Sequence, residues 1–365
     1  MNIESLGFTI VELEQAIEDG FVSVRDHPTE DLRIYNYTAK AQYSRTWNSV
    51  TRQCRGLILD HDLNIIALPY AKFFNIEEEM ANPDSTWHTP TKYFLQEKHD
   101  GWLGILYREP KSGLLSIASR GSFDSSGAII ATNILRTNHS DFVPVEGLTY
   151  MFEIIHPETK IVLDYEGKES LVFFGVNSVN GPNNDVSIFD QMRKNGFEIC
   201  EFKELGCGNL RFLFEEYKHE NTKNKEGYVV VDANDFSNRL KIKFENYIRD
   251  HRIITQLTPL RVWEALRDGV YDNIVSVCPD EHMEWLQEMR NEIVEQYNEI
   301  FWKSKAAFAS LMLQVWDLMS DPLTIDRKEF AQKALKYPEF APILFAMLDK
   351  KDFSPIIWKK IRPNS

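Results

Sequence analysis

Apolar residues change their spacing near residue 245 of the chain. Before that point they fall mostly in short runs rich in β-branched and aromatic residues, separated by turn formers, which is the pattern of strands. "CRGLILD" and "LNIIALPYAKFF" flank an Asp-His-Asp turn and predict a hairpin. "TKYFLQEK", "WLGILYRE" and "LLSIASRG" form a second series, broken at Asp100-Gly101 and Ser112-Gly113. "LTYMFEII", "KIVLDYE", "SLVFFGVNS", "EGYVVVD" and "RLKIKFE" continue it. Helical signals interrupt the strands in three places. Residues 9–20 carry Thr9 as N-cap, Glu12 three residues on as a capping box, and Gly20 as a stop. "SSGAIIATNILRTNH" reads as a second helix, and "SIFDQMRKNGF" as a third with Ser187 as N-cap and Gly196 as stop. After residue 245 the apolar positions Trp285, Met289, Ile293, Tyr297, Ile300, Phe301, Phe308, Met312 and Val315 follow a helical period. "DRKEFAQKALK", with Asp326 as cap, adds another helix. The pattern predicts an α+β domain over 1–245 and an all-α domain over 246–365.

Composition narrows the class. A chain of 365 residues is long enough for two domains. With 43% hydrophobic and 26% charged residues it is neither fibrous nor disordered. No apolar stretch is long enough to span a bilayer. The early Glu4, Glu12, Glu14, Glu18 and Asp19 are wrong for a secretory or transit leader. Cys54, Cys200, Cys207 and Cys278 are scattered, which fits reduced thiols in the cytoplasm. The net charge of −14 is uneven: residues 246–365 hold 16 basic and 18 acidic side chains, against 25 and 37 in residues 1–245. A polyanion would therefore have to be held by a local basic pocket, aided by divalent metal.

Lys98-His99-Asp100-Gly101 lies between two predicted strands. Alone it reads equally as a hairpin turn, since Asp-Gly favours one. It stands, however, within an ordered series: Arg55-Gly56, Lys72-Phe73-Phe74-Asn75, Lys98 to Gly101, Ser119-Arg120-Gly121, Glu153, Phe173-Phe174, Glu226-Gly227-Tyr228-Val229-Val230 and Lys241-Ile242-Lys243. Lysines suit phosphates, carboxylates suit metal or ribose, and aromatics stack on a base. Lys241 and Lys243 are two apart on a strand and share a face. No Ser-His-Asp series, P-loop or metal-spaced His/Cys cluster stands beside them, and His99 and His156 lack partners for acid–base work.

With these motifs in order, the sequence resembles the covalent nucleotidyltransferases, namely polynucleotide ligases and mRNA capping enzymes. Within them it is most similar to the phage-type ATP-dependent RNA ligases that repair broken tRNA anticodon loops. "RIYNYT", "CRGLILD", "AKFFNIEE", "EGYVV" and "LKIKF" are the local forms of that branch. The resemblance implies an ATP-grasp-like fold of antiparallel sheets with flanking helices. It also implies three steps: lysine takes AMP from ATP, AMP passes to an RNA 5′-phosphate, and a 3′-hydroxyl displaces it. Lys98 would be the nucleophile. A lysine amine with a pKa of about 10.4 is almost wholly protonated at neutral pH; a hydrated Mg²⁺ or Mn²⁺ with Lys241 and Lys243 would lower that value. Arg55 and Lys72 match positions that contact phosphates, and Arg120 stands where the family often has lysine. Glu153 would hold the ribose and Glu226 the metal's water shell, or the reverse. Val229 and Phe174 would enclose adenine, with Phe174 sharing a face with Val172 and Val176; Phe173 is the alternative. Gly101 would permit close backbone approach to the nucleotide.

DNA ligases and capping enzymes usually continue into a β-barrel, whereas this chain turns helical. The tail therefore fits the RNA ligase branch and tRNA recognition, with Lys359, Lys360 and Arg362 near Trp358 as candidate RNA contacts. The implied partners are RNA ends bearing a 5′-phosphate and a 3′-hydroxyl, and a polynucleotide kinase–phosphatase that prepares them. A monomer in the host cytoplasm of a virus, away from membranes, completes the expectation. A catalytically idle nucleotide- or RNA-binding protein and an ATP-dependent DNA ligase are the competing readings.

Overall fold

The structure, a computed structural model, describes residues 2–81, 87, 92–178, 180–181, 184–206, 209–220, 225–254, 257–278, 283–316 and 327–363, with backbone alone at 250, 252–254, 276–277, 284 and 316. It divides into two compact units, Met1–Thr255 and Gln256–Ser365. The division falls after residue 255 rather than 245 because helix Glu245–Ile254 packs into the first unit. Its Tyr247 is buried, and the Tyr247 hydroxyl donates to Asp100 Oδ1 at 2.7 Å.

Among its described residues the first unit contains thirteen strands: β1 (Val22–Asp26), β2 (Leu32–Tyr37), β3 (Arg55–Asp60), β4 (Ile65–Ala67), β5 (Tyr93–Lys98), β6 (Trp102–Arg108), β7 (Leu115–Ala118), β8 (Leu148–Ile155), β9 (Ser170–Ser178), β10 (Glu198–Ile199), β11 (Phe202–Leu205), β12 (Gly227–Asp232) and β13 (Asp235–Lys243). They form three sheets, ordered β1-β2-β3-β4, β10-β9-β8-β6-β7 and β11-β5-β12-β13. Every pairing is antiparallel except β9 with β10. The fold is thus α+β followed by a helical unit, as the spacing predicts, and its sheets are mostly antiparallel, as the resemblance implies.

The predicted hairpin is β3 with β4. The first helix, Ile10–Glu18, has the Thr9–Glu12 capping box intact. Helix Ser126–Asn138 is capped by Ser125. Helix Ser187–Lys194 starts one residue earlier than its pattern suggests: Val186 is the N-cap, and Asp185 Oδ1 accepts the Ser187 N–H.

Two expectations fail for one reason. "KIVLDYE" is not a strand, and Asp100-Gly101 is not a hairpin turn. The buried Asp100 carboxylate takes the N–H groups of Val162 and Leu163 at 2.8 and 2.7 Å, so that segment satisfies its backbone on a side chain rather than a ladder. Strands β5 and β6 lie in different sheets, and the chain crosses between those sheets at His99-Asp100-Gly101.

Phe152, Phe173, Phe189 and Phe197 lead the core against the second sheet. Leu95, Val230, Leu240 and Ile242 of the third pack on helix Leu210–Tyr217. The second unit holds helices Pro259–Arg267, Tyr271–Val277, Met283–Trp316, Arg327–Ala334, Ala341–Leu348 and Ser354–Lys360. Leu311, Val315, Phe330 and Leu344 close one of its cores. The cap assigned to Asp326 lies outside the described residues, as does Cys207. Cys54, Cys200 and Cys278 are buried. Among the described residues no helix is long and apolar enough to cross a membrane.

Candidate active site

The register of the third sheet assembles the site. Gly227 opposes Lys98 on one side and Lys243 on the other. Glu226, just before β12, donates its N–H to the Lys98 carbonyl at 3.0 Å and accepts the Phe244 N–H at 3.1 Å. A Cβ on Gly227 would stand 2.0 Å from the Ile242 carbonyl oxygen, so only glycine allows β12 and β13 this approach. The consequence is a lysine–carboxylate–lysine cluster. Glu226 Oε2 is 2.5 Å from Lys98 Nζ, and Oε1 is 2.5 Å from Lys243 Nζ. The carboxylate is almost fully buried.

The charges nearest Lys98 are carboxylates. Burial works against the ammonium, but Glu226 and Glu153 outweigh burial and Lys243, so the amine is held above its ordinary pKa. The lowering expected from Lys241 and Lys243 is not what this arrangement produces. Glu153, on β8, accepts the Gly101 N–H at 3.0 Å. Burial pushes its carboxyl up to about 7, with Glu226 and Asp100 adding to the shift and Lys98 and the Gly101 N–H opposing it.

A carboxyl with a folded pKa above its unfolded value stabilises the fold fully only below the unfolded value. That contribution is lost as pH rises from the ordinary 4.5 through about 7. Glu153→Gln keeps an acceptor for Gly101 and removes the charge. It is expected to raise the melting temperature at pH 8 by a few degrees, on the order of ~1 kcal/mol, and to leave it unchanged at pH 4. Thermal unfolding at both pH values checks this; equal shifts at the two would refute it.

Asp100 is the anchor of the crossing, bound by Val162, Leu163 and Tyr247. Gly101 has the Ile154 carbonyl 2.6 Å from where its Cβ would be, so its close approach is to β8. His99 Nδ1 lies 3.3 Å from Cys200 Sγ in a largely buried setting, and burial lowers its pKa. His156 Nδ1 accepts the Glu158 N–H, and its Nε2 is 3.5 Å from Glu169.

A second group of cations is interleaved with rings. Arg55 and Lys241 lie over Phe73, 5.5 and 5.1 Å from its centroid. The buried Lys72 ammonium lies 5.2–5.7 Å from the rings of Tyr37, Trp47 and Phe74. Arg120 donates to the Tyr37 hydroxyl at 3.2 Å. Tyr37 and Trp47 carried no role in the sequence reading, although "RIYNYT" contains the former.

At the apolar end, Phe173 is buried in the core and Phe174 is half-buried beside Ile155, Val172 and Cys200. Phe174 does not share a face with Val176. A register shift lets β9 run Phe173, Phe174, Gly175 against Phe152 and Met151, so Phe174 is the extra residue and Val176 returns to the Phe173 side. Val229 is buried with Val231 and Phe236. Gln96, opposite Val229 in the ladder, donates from Nε2 to the Phe174 carbonyl at 2.9 Å. Sequence reasoning missed Gln96 and its partner Arg239. The signal was period two: Gln96 shares a face with Lys98, as Arg239 does with Lys241 and Lys243.

In the second unit, Trp358 is a packing residue. Its carbonyl accepts the Trp263 indole N–H at 3.0 Å and its ring lies 4.8 Å from Tyr297. Lys360 donates to the Glu339 carbonyl, Arg362 lies over Trp263, and Lys359 is exposed.

Among the described residues no group of three or more His, Cys, Asp or Glu side chains is placed to hold a metal. Glu226 and Glu153 are the carboxylates that act on Lys98.

The chain is similar to several known proteins. A family model described as RNA ligase matches residues 53–247. An RNA ligase of Rhodothermus phage RM378 is 24% identical over 391 residues, covering 87% of this chain and 85% of that one. Among solved structures, Naegleria gruberi RNA ligase with PPi gives a TM-score of 0.41 at 14% identity, over 51% of this chain. The chain spans 58% of that protein's length. A mutant of the same enzyme with AMP and Mn gives 0.41 at 14%, over 67% of this chain and 83% of that one. The family match spans just over half of the chain and takes in Arg55, Lys98, Glu153, Glu226 and Lys243 together; the chain belongs to the RNA ligase family.

Proposed function

We propose that this protein is an ATP-dependent RNA ligase acting through a covalent adenylate on Lys98. The observation that carries the reading is the buried cluster in which Glu226 holds Lys98 and Lys243 together, in a chain of the RNA ligase family. A binding protein needs cations for phosphate but no buried lysine aligned by a carboxylate.

In the first step the lone pair of Lys98 Nζ forms a P–N bond with the α-phosphorus of ATP, and the P–O bond to pyrophosphate breaks. In the second, the 5′-phosphate oxygen of RNA attacks that phosphorus and the P–N bond breaks. In the third, a 3′-hydroxyl forms the new phosphodiester and AMP leaves with the electron pair. Lys98 must lose its proton before attack, and Glu226 is what holds that proton in place in the resting enzyme. Lys241, Lys243, Arg55, Lys72 and Arg120 provide the positive field for the triphosphate and the departing pyrophosphate. Phe174 and Val229 form the apolar slot for adenine, and Glu153 meets the ribose.

The carboxylates of Glu226 and Glu153 beside Lys98 suit a hard ion that takes waters and phosphate oxygens as most of its ligands. Glu226 would hold Mg²⁺ or Mn²⁺, or Glu153 if the two roles are exchanged. The ion would supply neutralisation of phosphate charge.

The substrate in this reading is RNA with a 5′-phosphate and a 3′-hydroxyl, namely a cleaved tRNA anticodon loop whose ends a kinase–phosphatase has prepared. Lys359, Lys360 and Arg362 of the helical unit are its candidate contacts. The phage relative supports a viral origin, and in this reading the enzyme works as a monomer in the host cytoplasm.

Incubation with α-labelled ATP and Mg²⁺ or Mn²⁺ tests the proposal. Label is expected first on the protein and then on 5′-phosphorylated RNA, followed by sealed RNA. Absence of label on protein means an idle binder; sealing of nicked DNA in preference to RNA ends means a DNA ligase.

A further inference from the structure

Arg239 is a buried cation that the reaction steps do not use. Its guanidinium lies 3.9 Å from the Tyr70 ring centroid, and the Tyr70 hydroxyl is committed to the Val176 carbonyl at 2.7 Å. Arg239 Nε donates to the Phe236 carbonyl at 2.7 Å, and Nη1 donates to Gln96 Oε1 at 2.9 Å. Among the described residues no carboxylate forms an ion pair with it. A charge in such a place is costly and persists only where hydrogen bonds and ring contacts offset its desolvation.

What those hydrogen bonds do follows from donor chemistry. Guanidinium only donates, so Gln96 must turn its oxygen to Arg239, and its NH₂ is thereby aimed at the Phe174 carbonyl. Gln96 is on β5, two residues before Lys98, while Phe174 is the extra residue of the bulge in β9. One side-chain amide, oriented by one cation, therefore ties the strand that carries Lys98 to the strand that carries Phe174, across two sheets. Gly175 keeps room for the same network, since its Cβ would stand 2.6 Å from the Tyr70 hydroxyl.

We infer that Arg239 is a positioning residue: acting through Gln96, it fixes the Phe174 backbone and so sets the slot between Phe174 and Val229 that receives the nucleobase. This rests on the nucleotide-binding role proposed above for that slot. Arg239 is committed to the Phe236 carbonyl, Gln96 and the Tyr70 ring, so the rate at saturating ATP is expected not to depend on it.

The experiment uses the full chain and follows Lys98 self-adenylylation. Arg239→Met is expected to raise the KM for ATP by about 10-fold or more, as for a hydrogen bond whose partner is left unpaired, with the saturated rate within about 3-fold. Inhibition by adenosine should weaken by a similar factor, while inhibition by tripolyphosphate stays unchanged. Gln96→Glu is the companion, because it can pair with Arg239 yet sets a carboxylate oxygen against the Phe174 carbonyl. It is expected to keep the wild-type melting temperature and still weaken adenosine inhibition. Equal weakening of both inhibitors, or unchanged adenosine inhibition in the folded Gln96→Glu protein, overturns the inference. Failure of the nucleotide-binding reading would look different: the wild-type protein would take no label.

Discussion

Lys98→Arg is expected to abolish self-adenylylation, by at least about four orders of magnitude, while leaving the protein folded. Arginine keeps the positive charge that Glu226 requires, so the buried cluster retains its balance of two cations and one anion. What it lacks is a nitrogen that can give up a proton and form a P–N bond, because guanidinium stays protonated at any pH the protein survives. The loss should therefore fall on the first two steps. When RNA already carrying a 5′-adenylate is supplied, the third step does not require the nucleophile, and sealing by the arginine variant should persist at a measurable rate. Label transfer to protein, unfolding temperature and sealing of adenylylated RNA separate these outcomes. His99→Ala is the companion: its ring is turned to Cys200, and label should still appear. Label on the arginine variant would remove Lys98 from the mechanism.

Much of the site was legible because its residues lie in short local motifs on strands. The period-two relation put Lys241 and Lys243 on one face, and Glu226-Gly227 was visible as a pair. What could not be read was how distant strands align. Lys98, Glu226 and Lys243 meet because β12 lies between β5 and β13 with Gly227 opposite both lysines. No local pattern specifies a pairing between segments so far apart in the chain.

The same limit explains why Asp100-Gly101 could be read alone as a hairpin turn. Asp-Gly has the local preference of a hairpin, but the Asp100 carboxylate found better use for its oxygens in the amides of Val162 and Leu163. Once that loop was tied down, "KIVLDYE" had no edge to join, despite its β-branched residues. Phe174 shows how a single bulge defeats counting by twos: the face it shares with Val172 is as read, while the face assigned to Val176 is reversed. Arg239 and Gln96 were passed over because a polar residue in a strand reads as solvent-facing. Their burial becomes visible only when the second sheet covers them.

Gly227→Ala carries the largest expected structural effect. The added methyl would need the space of the Ile242 carbonyl oxygen, 2.0 Å away, and of Lys243 Cα at 2.9 Å. Backbone cannot swing aside as the end of a side chain can, so β12 must separate from β13 at that point. Relief of such overlap costs about 2–4 kcal/mol, within the range of severe overpacking. The separation also withdraws Glu226 from Lys243, and self-adenylylation should fall by ~100-fold even at temperatures where the variant stays folded. Gly206→Ala is the matched control, since a Cβ there meets nothing within 4 Å and stability should be unchanged. Thermal unfolding of both variants, with label uptake measured well below their melting temperatures, tests the two parts separately. Wild-type stability in Gly227→Ala would mean that β12 and β13 do not approach as described. Lost stability with undiminished uptake would mean that the Glu226–Lys243 contact does not serve the chemistry.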